Sequence, residues 1–303
     1  MPEETKELMS RAAVVVNPTK VDDRQAFGNR VRQIMDDNGW EEPLWLETTP
    51  DDPGRGQAKA AVEAGVDLVL ACGGDGTVTA CAEGVANTKV PLAIIPLGTG
   101  NLLARNVGLP MGLDEALTVA IGDVQKSIDV GLVNGSLFVV MAGLGLDARM
   151  LSGTSDRLKK RLGWLAYAIS AVRHLRDRPV RVTVIADGGH RRRMRANALI
   201  VGNVGWLRGG LPLLPDARPD DGMLDAVVLV AGGLRGWLVA LADILLRRPA
   251  PSGIYRVQFT ELQVTLEREQ PWELDGEVMG ATRRLTVAAQ PGGLLLRMPA
   301  KST

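Results

Sequence analysis

The sequence predicts an α/β protein of two domains, an N-terminal parallel-sheet domain followed by a C-terminal antiparallel β-rich domain. Three observations carry that reading. From residue 12 to about 125, short apolar runs alternate with helical segments, the pattern of a parallel sheet with crossover helices. After Asp123 the rhythm changes to strand-like runs separated by turns. Three of the early runs also empty into polar, turn-forming residues, which an open α/β sheet gathers outside the carboxyl ends of its strands.

The elements follow in order. The run at 12–16, Ala-Ala-Val-Val-Val, ends in Asn17-Pro18-Thr19-Lys20, and helices are expected at 23–37 and 54–65. A second strand, 67–71, leads into Gly73-Gly74-Asp75-Gly76-Thr77 and a helix over 77–87. A third, 92–95, leads into Pro96-Leu97-Gly98-Thr99-Gly100-Asn101, and a helix at 113–121 follows. Beyond it, strands are expected at 127–133, 136–141, 180–186, 191–203, 224–231, 254–266 and 283–288. Asn134-Gly135, between the first two, is a hairpin signal.

Two helices interrupt that series, at 158–172 and 234–248. In the first, Leu158, Leu162, Leu165, Ile169 and Val172 recur at helical spacing, with Trp164 and Tyr167 broadening the apolar face. Arg157, Lys159, Lys160 and Arg161 stand at its start and Arg173, Arg176 and Arg178 at its end. Such a helix either packs in a core or docks on anionic lipid headgroups. Arg191-Arg192-Arg193 has the same two readings, a basic patch or a solvated hairpin.

At 303 residues the chain is long enough for two cores. A formal net charge of zero leaves no global pull toward nucleic acid, so an anionic surface would have to be met by a local basic patch. Cys72 and Cys81 make neither a disulfide framework nor a zinc signature, and free thiols in a reducing compartment are expected. The first residues lack the apolar core of a signal peptide, and no run reaches the ~20 apolar residues of a spanning helix. A cytoplasmic protein is expected.

The glycine run after the second strand is where a phosphate would sit. Glycines let backbone amides approach an anion, and the helix start adds unsatisfied N–H groups and a positive dipole end. Asp75 can hold a metal or orient an amide, and its removal is expected to leave the fold intact.

Asn17-Pro18, then Gly73 to Thr77, then Gly98-Thr99-Gly100-Asn101, then a late Asp275-Gly276-Glu277 make a series spanning nearly the whole chain. In that order it resembles the diacylglycerol kinase catalytic-domain family, which includes bacterial soluble lipid kinases and the sphingosine and ceramide kinases. The resemblance implies a nucleotide-binding domain of NAD kinase/diacylglycerol kinase-like fold at 1–126, a lipid-substrate domain at 127–285, and a tail at 286–303 returning to the first. It implies an ATP- and Mg2+-dependent kinase acting on the hydroxyl of diacylglycerol or a similar long-chain lipid alcohol. Contact with the membrane surface would be transient, nucleic acid is no partner, and a homodimer is compatible with the chain.

Residue roles carried over from the family are these. Asn17, Thr48, Gly73, Gly74, Asp75, Gly76, Thr77, Gly98, Thr99, Gly100, Asn101, Asp275 and Gly276 would contact the nucleotide. Glu277 would be the general base, with Asp275 near nucleotide and metal, since the glycine between them forces a turn that brings both carboxylates near one place. Asp129 matches a carboxylate needed for activity, against the alternative of an edge-strand acid facing water. Asp147 matches a head-group ligand, or is a turn residue. Asp221, with the carbonyls of Arg218 and Met223, would hold a structural magnesium, or is an exposed loop acid.

The chain departs from the family at Thr19-Lys20, where a Ser-Gly pair is common, at Leu102-Leu103 in place of Asp-Phe, and at Thr79 and Ala80 in place of Asn and Glu. Two other readings share part of the pattern. One is a NAD kinase, which carries the same glycine loop. The other is a nucleotide-binding regulator without turnover, which the missing acid near Leu102 would suit.

Overall fold

A computed structural model of the chain describes residues 10–145, 179–207, 211–230 and 253–300. Asp147 and the two helices expected at 158–172 and 234–248 lie outside the described residues. The chain divides into two compact units, Met1–Ile128 with Gly293–Thr303, and Asp129–Gly292.

In the first unit, β1 (Ala12–Val16), β2 (Leu44–Glu47), β3 (Leu68–Gly73) and β4 (Leu92–Pro96) form a parallel sheet in the order β4-β3-β1-β2. Every residue of β1, β3 and β4 is buried, as strands covered on both faces require. Helix α1 (Arg24–Asp37) starts at Asp23, whose side chain accepts the Ala26 amide at 2.9 Å. Its Phe27, Val31, Ile34 and Met35 meet Val14, Leu70 and Ile95 in one cluster, together with Ala116 and Leu117 of α5 (Leu113–Ile121). Helices α2 (Arg55–Glu63), α3 (Asp75–Val85) and the short α4 (Leu102–Asn106) complete the set.

Strand β2 and helix α4 were not foreseen. β2 is four residues between acidic and turn-forming neighbours, too short to show a period. α4 follows Asn101, whose left-handed φ of 51° redirects the chain into the helix. Helix α3 begins at Asp75, two residues earlier than expected, with Gly74 as its N-cap.

The second unit is antiparallel. It contains β6 (Ser136–Phe138), β7 (Met141–Gly145), β8 (Val180–Ala186), β9 (Arg192–Ala196), β10 (Ala198–Gly202), β13 (Leu224–Leu229), β14 (Ile254–Phe259) and β15 (Glu261–Leu274). A two-stranded pair, β11 (Trp206–Leu207) and β12 (Leu211–Pro212), stands apart from the main sheet. β5 (Gln125–Val133) and β16 (Glu277–Arg297) carry the chain between units, each with residues in both. The strand order is β14-β13-β10-β7-β15-β16, with β8 also on β15 and β9 on β8. Val182, Val184, Leu199, Val228, Leu262, Val264, Leu285 and Val287 form its core.

Two long strands expected from the sequence are each two strands here. The run at 191–203 divides at Asn197, because β9 pairs with β8 whereas β10 pairs with β7 and β13. The run at 254–266 divides at Thr260, where Asp187 Oδ1 accepts the Thr260 amide at 2.9 Å, its hydroxyl at 2.7 Å and the Glu261 amide at 2.8 Å. Those donors hold the Asp187 carboxyl below the usual range, the Thr260 hydroxyl foremost. Continuous apolar alternation could not reveal a change of partner.

Candidate active site

The parallel order β4-β3-β1 brings the carboxyl ends of three strands side by side, and with them the loops that begin at Asn17, Gly73 and Leu97. Backbone bonds fasten them, Asn17 N–H to Cys72 O at 2.9 Å and Leu97 N–H to Gly73 O at 2.9 Å. The glycines are then explained by contact. A Cβ on Gly98 would lie 2.6 Å from the Gly74 Cα and 2.7 Å from Asn101 Oδ1, so two loops meet backbone to backbone. A Cβ on Gly73 would strike Thr77, and one on Gly100 would strike the Asp75 carboxylate. Gly76 differs, since a Cβ there would meet nothing within 4 Å. It lies exposed in the first turn of α3, where amides have no intrahelical acceptor.

Asp75 supplies the tie between loops. Its Oδ2 accepts the Asn101 amide at 3.0 Å and its Oδ1 the Leu102 amide at 2.5 Å, joining the start of α3 to the start of α4. These bonds count against the expectation that removal of the loop acid leaves the fold intact. Asn101 is buried, and its side chain closes the loop on itself by accepting Gly98 N–H at 3.0 Å and donating to Gly98 O at 2.8 Å. Thr99 is exposed at the tip. Arg105, which sequence reasoning did not single out, donates from Nε to Gly100 O at 3.0 Å. Its spacing of four from Asn101, one helical turn, was the available signal.

Asn17 accepts the Thr19 amide at 3.0 Å and the Thr19 hydroxyl at 2.8 Å, and reaches Thr77 Oγ1 at 3.5 Å. Thr19, a departure from the family pattern, thus closes the turn after β1. Thr48 is buried beside the same strand end, its amide on Val16 O at 2.9 Å. Next to Pro18 a cavity of about 330 Å3 opens between α1 and β2, lined by Arg24, Phe27, Arg32, Trp45 and Glu47 among others. Cys72 and Cys81 are buried, and burial pushes both thiols up, so they stay protonated core residues.

In the second unit, Asp275-Gly276 is the turn joining β15 to β16, with φ of 45° and 96° at the two positions, as a type I′ hairpin needs. The two acids of this turn have different surroundings, Asp275 half-buried and Glu277 exposed. Asp275 Oδ1 accepts the Val140 and Met141 amides at 2.9 and 2.8 Å, and Oδ2 accepts Val139 N–H at 2.8 Å. Glu277 is exposed, and no described side chain pairs with its carboxylate. Glu273, also missed by sequence reasoning, is buried and accepts the Gly276 amide at 2.7 Å, steadying the turn from within. Exposed Val278 and Met279 follow Glu277 directly.

Asp129 is buried rather than an edge-strand acid facing water. Its Oδ2 accepts the Gly222 amide at 2.7 Å and its Oδ1 the Gly292 amide at 2.8 Å, while its own amide donates to Pro219 O. Asn203, buried, donates to the carbonyls of Asp129 and Val139 at 2.7 and 3.1 Å. Asp129 therefore fixes the 219–222 loop that carries Asp221.

Asp221 is exposed, accepting Met223 N–H at 3.1 Å and the Gln258 amide at 2.9 Å. Among the described residues no three acidic, histidine or cysteine side chains converge on a metal, so a cation here would need backbone carbonyls as well. The donor set fits a hard cation all the same. Asp225 Oδ2 is buried without a hydrogen-bond partner, and burial, then Asp221 and Asp216, raise its carboxyl to about 6. Arg256 offsets part of that charge, and the raised value shows that burial and the neighbouring acids outweigh it.

Comparison with known proteins gives the family and the fold. Residues 11–133 match the model of the diacylglycerol kinase catalytic domain, and residues 139–297 that of the YegS C-terminal NAD kinase beta sandwich-like domain. The chain is 32% identical over 291 residues to a Pseudomonas fluorescens protein named "Probable lipid kinase YegS-like", covering 92% of this chain and 94% of that one. It is 30% identical over 283 residues to a diacylglycerol kinase of Bacillus subtilis, covering 90% and 91%. A diacylglycerol kinase structure from Bacillus anthracis has a TM-score of 0.73 at 21% identity, covering 98% of this chain and 100% of that one. An Archaeoglobus fulgidus NAD kinase in complex with ATP shares the fold at a TM-score of 0.53 and 14% identity, covering 96% and 94%.

Proposed function

The chain belongs to the diacylglycerol kinase catalytic-domain family, and on that premise we propose that it transfers the γ-phosphoryl group of ATP to the hydroxyl of a long-chain lipid alcohol such as diacylglycerol. The observation that carries the proposal is the glycine cradle. Gly74 and Gly98 pack backbone to backbone, leaving the first-turn amides of α3 and the exposed Gly76 as the surface offered to phosphate oxygens. Asp75 and Asn101 hold that surface in shape through backbone bonds, a positioning role. Bound magnesium would offset charge on the β- and γ-phosphates.

Glu277 is the base in this reading. Its carboxylate takes the proton of the acceptor hydroxyl as that oxygen bonds to the γ-phosphorus, the bond to the β-phosphate oxygen breaks, and ADP leaves. Asp275 and Glu273 fix the turn that presents it. Val278 and Met279, exposed next to it, favour an acceptor with apolar chains over a dinucleotide. Asp221 with the carbonyls of Arg218 and Met223 would hold a second, structural cation that relieves the charge at Asp225.

The test is ADP release with dioctanoylglycerol in mixed micelles against ADP release with NAD. Turnover on the lipid alone is expected, turnover on NAD alone would make the chain a NAD kinase, and none on either would make it a regulator. Glu277→Gln should keep nucleotide affinity and lower turnover by about 10²–10⁴-fold, the usual contribution of a general base. Should affinity fall in step with rate, Glu277 is a nucleotide or metal ligand instead.

A further inference from the structure

The arginines at 191–195 have no part in that chemistry, but strand register gives them a surface. Along β8 and β9, Val180, Val182, Val184 and Ala196 enter the core, and the alternate residues Arg181, Arg193 and Arg195 occupy the outer face, all exposed. Arg192 belongs to the other face, its guanidinium 5.1 Å from the Tyr255 ring. On the outer face Arg195 stands directly opposite Arg181. A rung also runs Arg193–Thr183–Thr265–Arg284 across β9, β8, β15 and β16. Three strand spacings separate its terminal arginines, roughly 14 Å at the backbone.

The acids on this face are few. Glu267 lies 3.8 Å from Arg181, and Glu261 contacts Gln263, but Arg193, Arg195 and Arg284 have no acidic partner among the described residues. Like charges directly opposite on adjacent strands are destabilising, and Glu267 offsets Arg181 alone, leaving Arg195 opposite it, and Arg193 and Arg284 on the same face, without an acidic partner among the described residues. A local rule broken with only partial internal compensation marks a surface whose remaining counter-charge comes from outside.

We propose that the outer face of β9-β8-β15-β16 docks the protein on an anionic bilayer. The inference rests on the lipid-kinase reading, which places the acceptor in a membrane. The chemistry fits, because guanidinium groups pair with phosphate oxygens in bidentate fashion and the intervening threonine hydroxyls add donors. A sheet face also offers these groups over an area rather than in a cleft, as a layer of headgroups requires.

The full chain, without nucleotide, is to be sedimented with phosphatidylcholine vesicles with and without phosphatidylglycerol. Partition is expected only with the anionic lipid, falling as salt is added. A cation at such a surface contributes about fivefold, so Arg193→Gln with Arg195→Gln should lower partition about 25-fold, and the double lysine replacement should largely retain it. Turnover on monomeric dioctanoylglycerol should be unchanged in both variants. Unchanged partition of the double glutamine variant overturns the proposal. So does a changed oligomeric state with partition intact, which would make the arginines guards of an edge strand or part of a contact between copies. Vesicle binding without ATP turnover would instead sink the lipid-kinase reading and leave the docking face standing.

Discussion

Three carboxylates singled out for chemistry, Asp75, Asp129 and Asp275, each accept two or three backbone amides, whereas Glu277 is exposed, as is Asp221. A side chain that short, set beside a turn, is a natural acceptor for orphan N–H groups, so its position in a motif does not separate holding a loop from touching a substrate. Removing the acceptor leaves the donors half-buried and unsatisfied. Asp75→Ala is therefore expected to cost about 2 kcal/mol of stability as well as turnover, read as a lower urea midpoint, the size expected for hydrogen bonds to a charged group. A variant that loses turnover at an unchanged midpoint would mean the Asn101 and Leu102 bonds are dispensable.

At the scale of elements, the decisive contact is between the loops after β3 and β4. Gly98→Ala should distort it, because the new methyl meets backbone at Gly74 and cannot be relieved by a side-chain rotation. Gly76→Ala meets open space, so its melting temperature should stay within the small range typical of surface substitutions. Nucleotide affinity should fall in both, since at Gly76 the methyl stands where phosphate oxygens would approach. The pair separates a glycine needed for packing from one needed for access. If Gly76→Ala binds nucleotide as the parent does, the first turn of α3 is not the phosphate site.

For the whole molecule, stability should carry the signature of Asp225. Its folded carboxyl titrates near 6 against about 3.9 in the unfolded chain, so between those values the folded state binds more protons and stability falls as pH rises. Above the folded value the full penalty is present. Asp225→Asn should therefore gain about 1 kcal/mol at neutral pH, a figure discounted for the half-exposed side chain, and little near pH 4. Magnesium bound to the native loop would raise the wild-type melting temperature at neutral pH in the absence of nucleotide, and Asp221→Ala should abolish that rise. Equal melting temperatures with magnesium and with chelator would remove the structural cation from the scheme.

What the sequence determined by itself was the architecture of the first unit and the order of the motifs. Buried parallel strands read as continuous apolar runs, and glycine turns at their ends are local signals that need no partner to be recognised. Family membership follows from the same motifs in the same order. What the tertiary structure decided was pairing: the division of 191–203 at Asn197, the short β2, the burial of Asp129, and the backbone partners of Asp275. Each depends on which distant backbone lies opposite, as Asp275 depends on amides at 139–141, and a hydrogen bond between residues so far apart leaves no periodicity in the chain. The arginine face belongs to that class too, because alternation along a strand says which residues share a face, while only the register says that Arg181 meets Arg195.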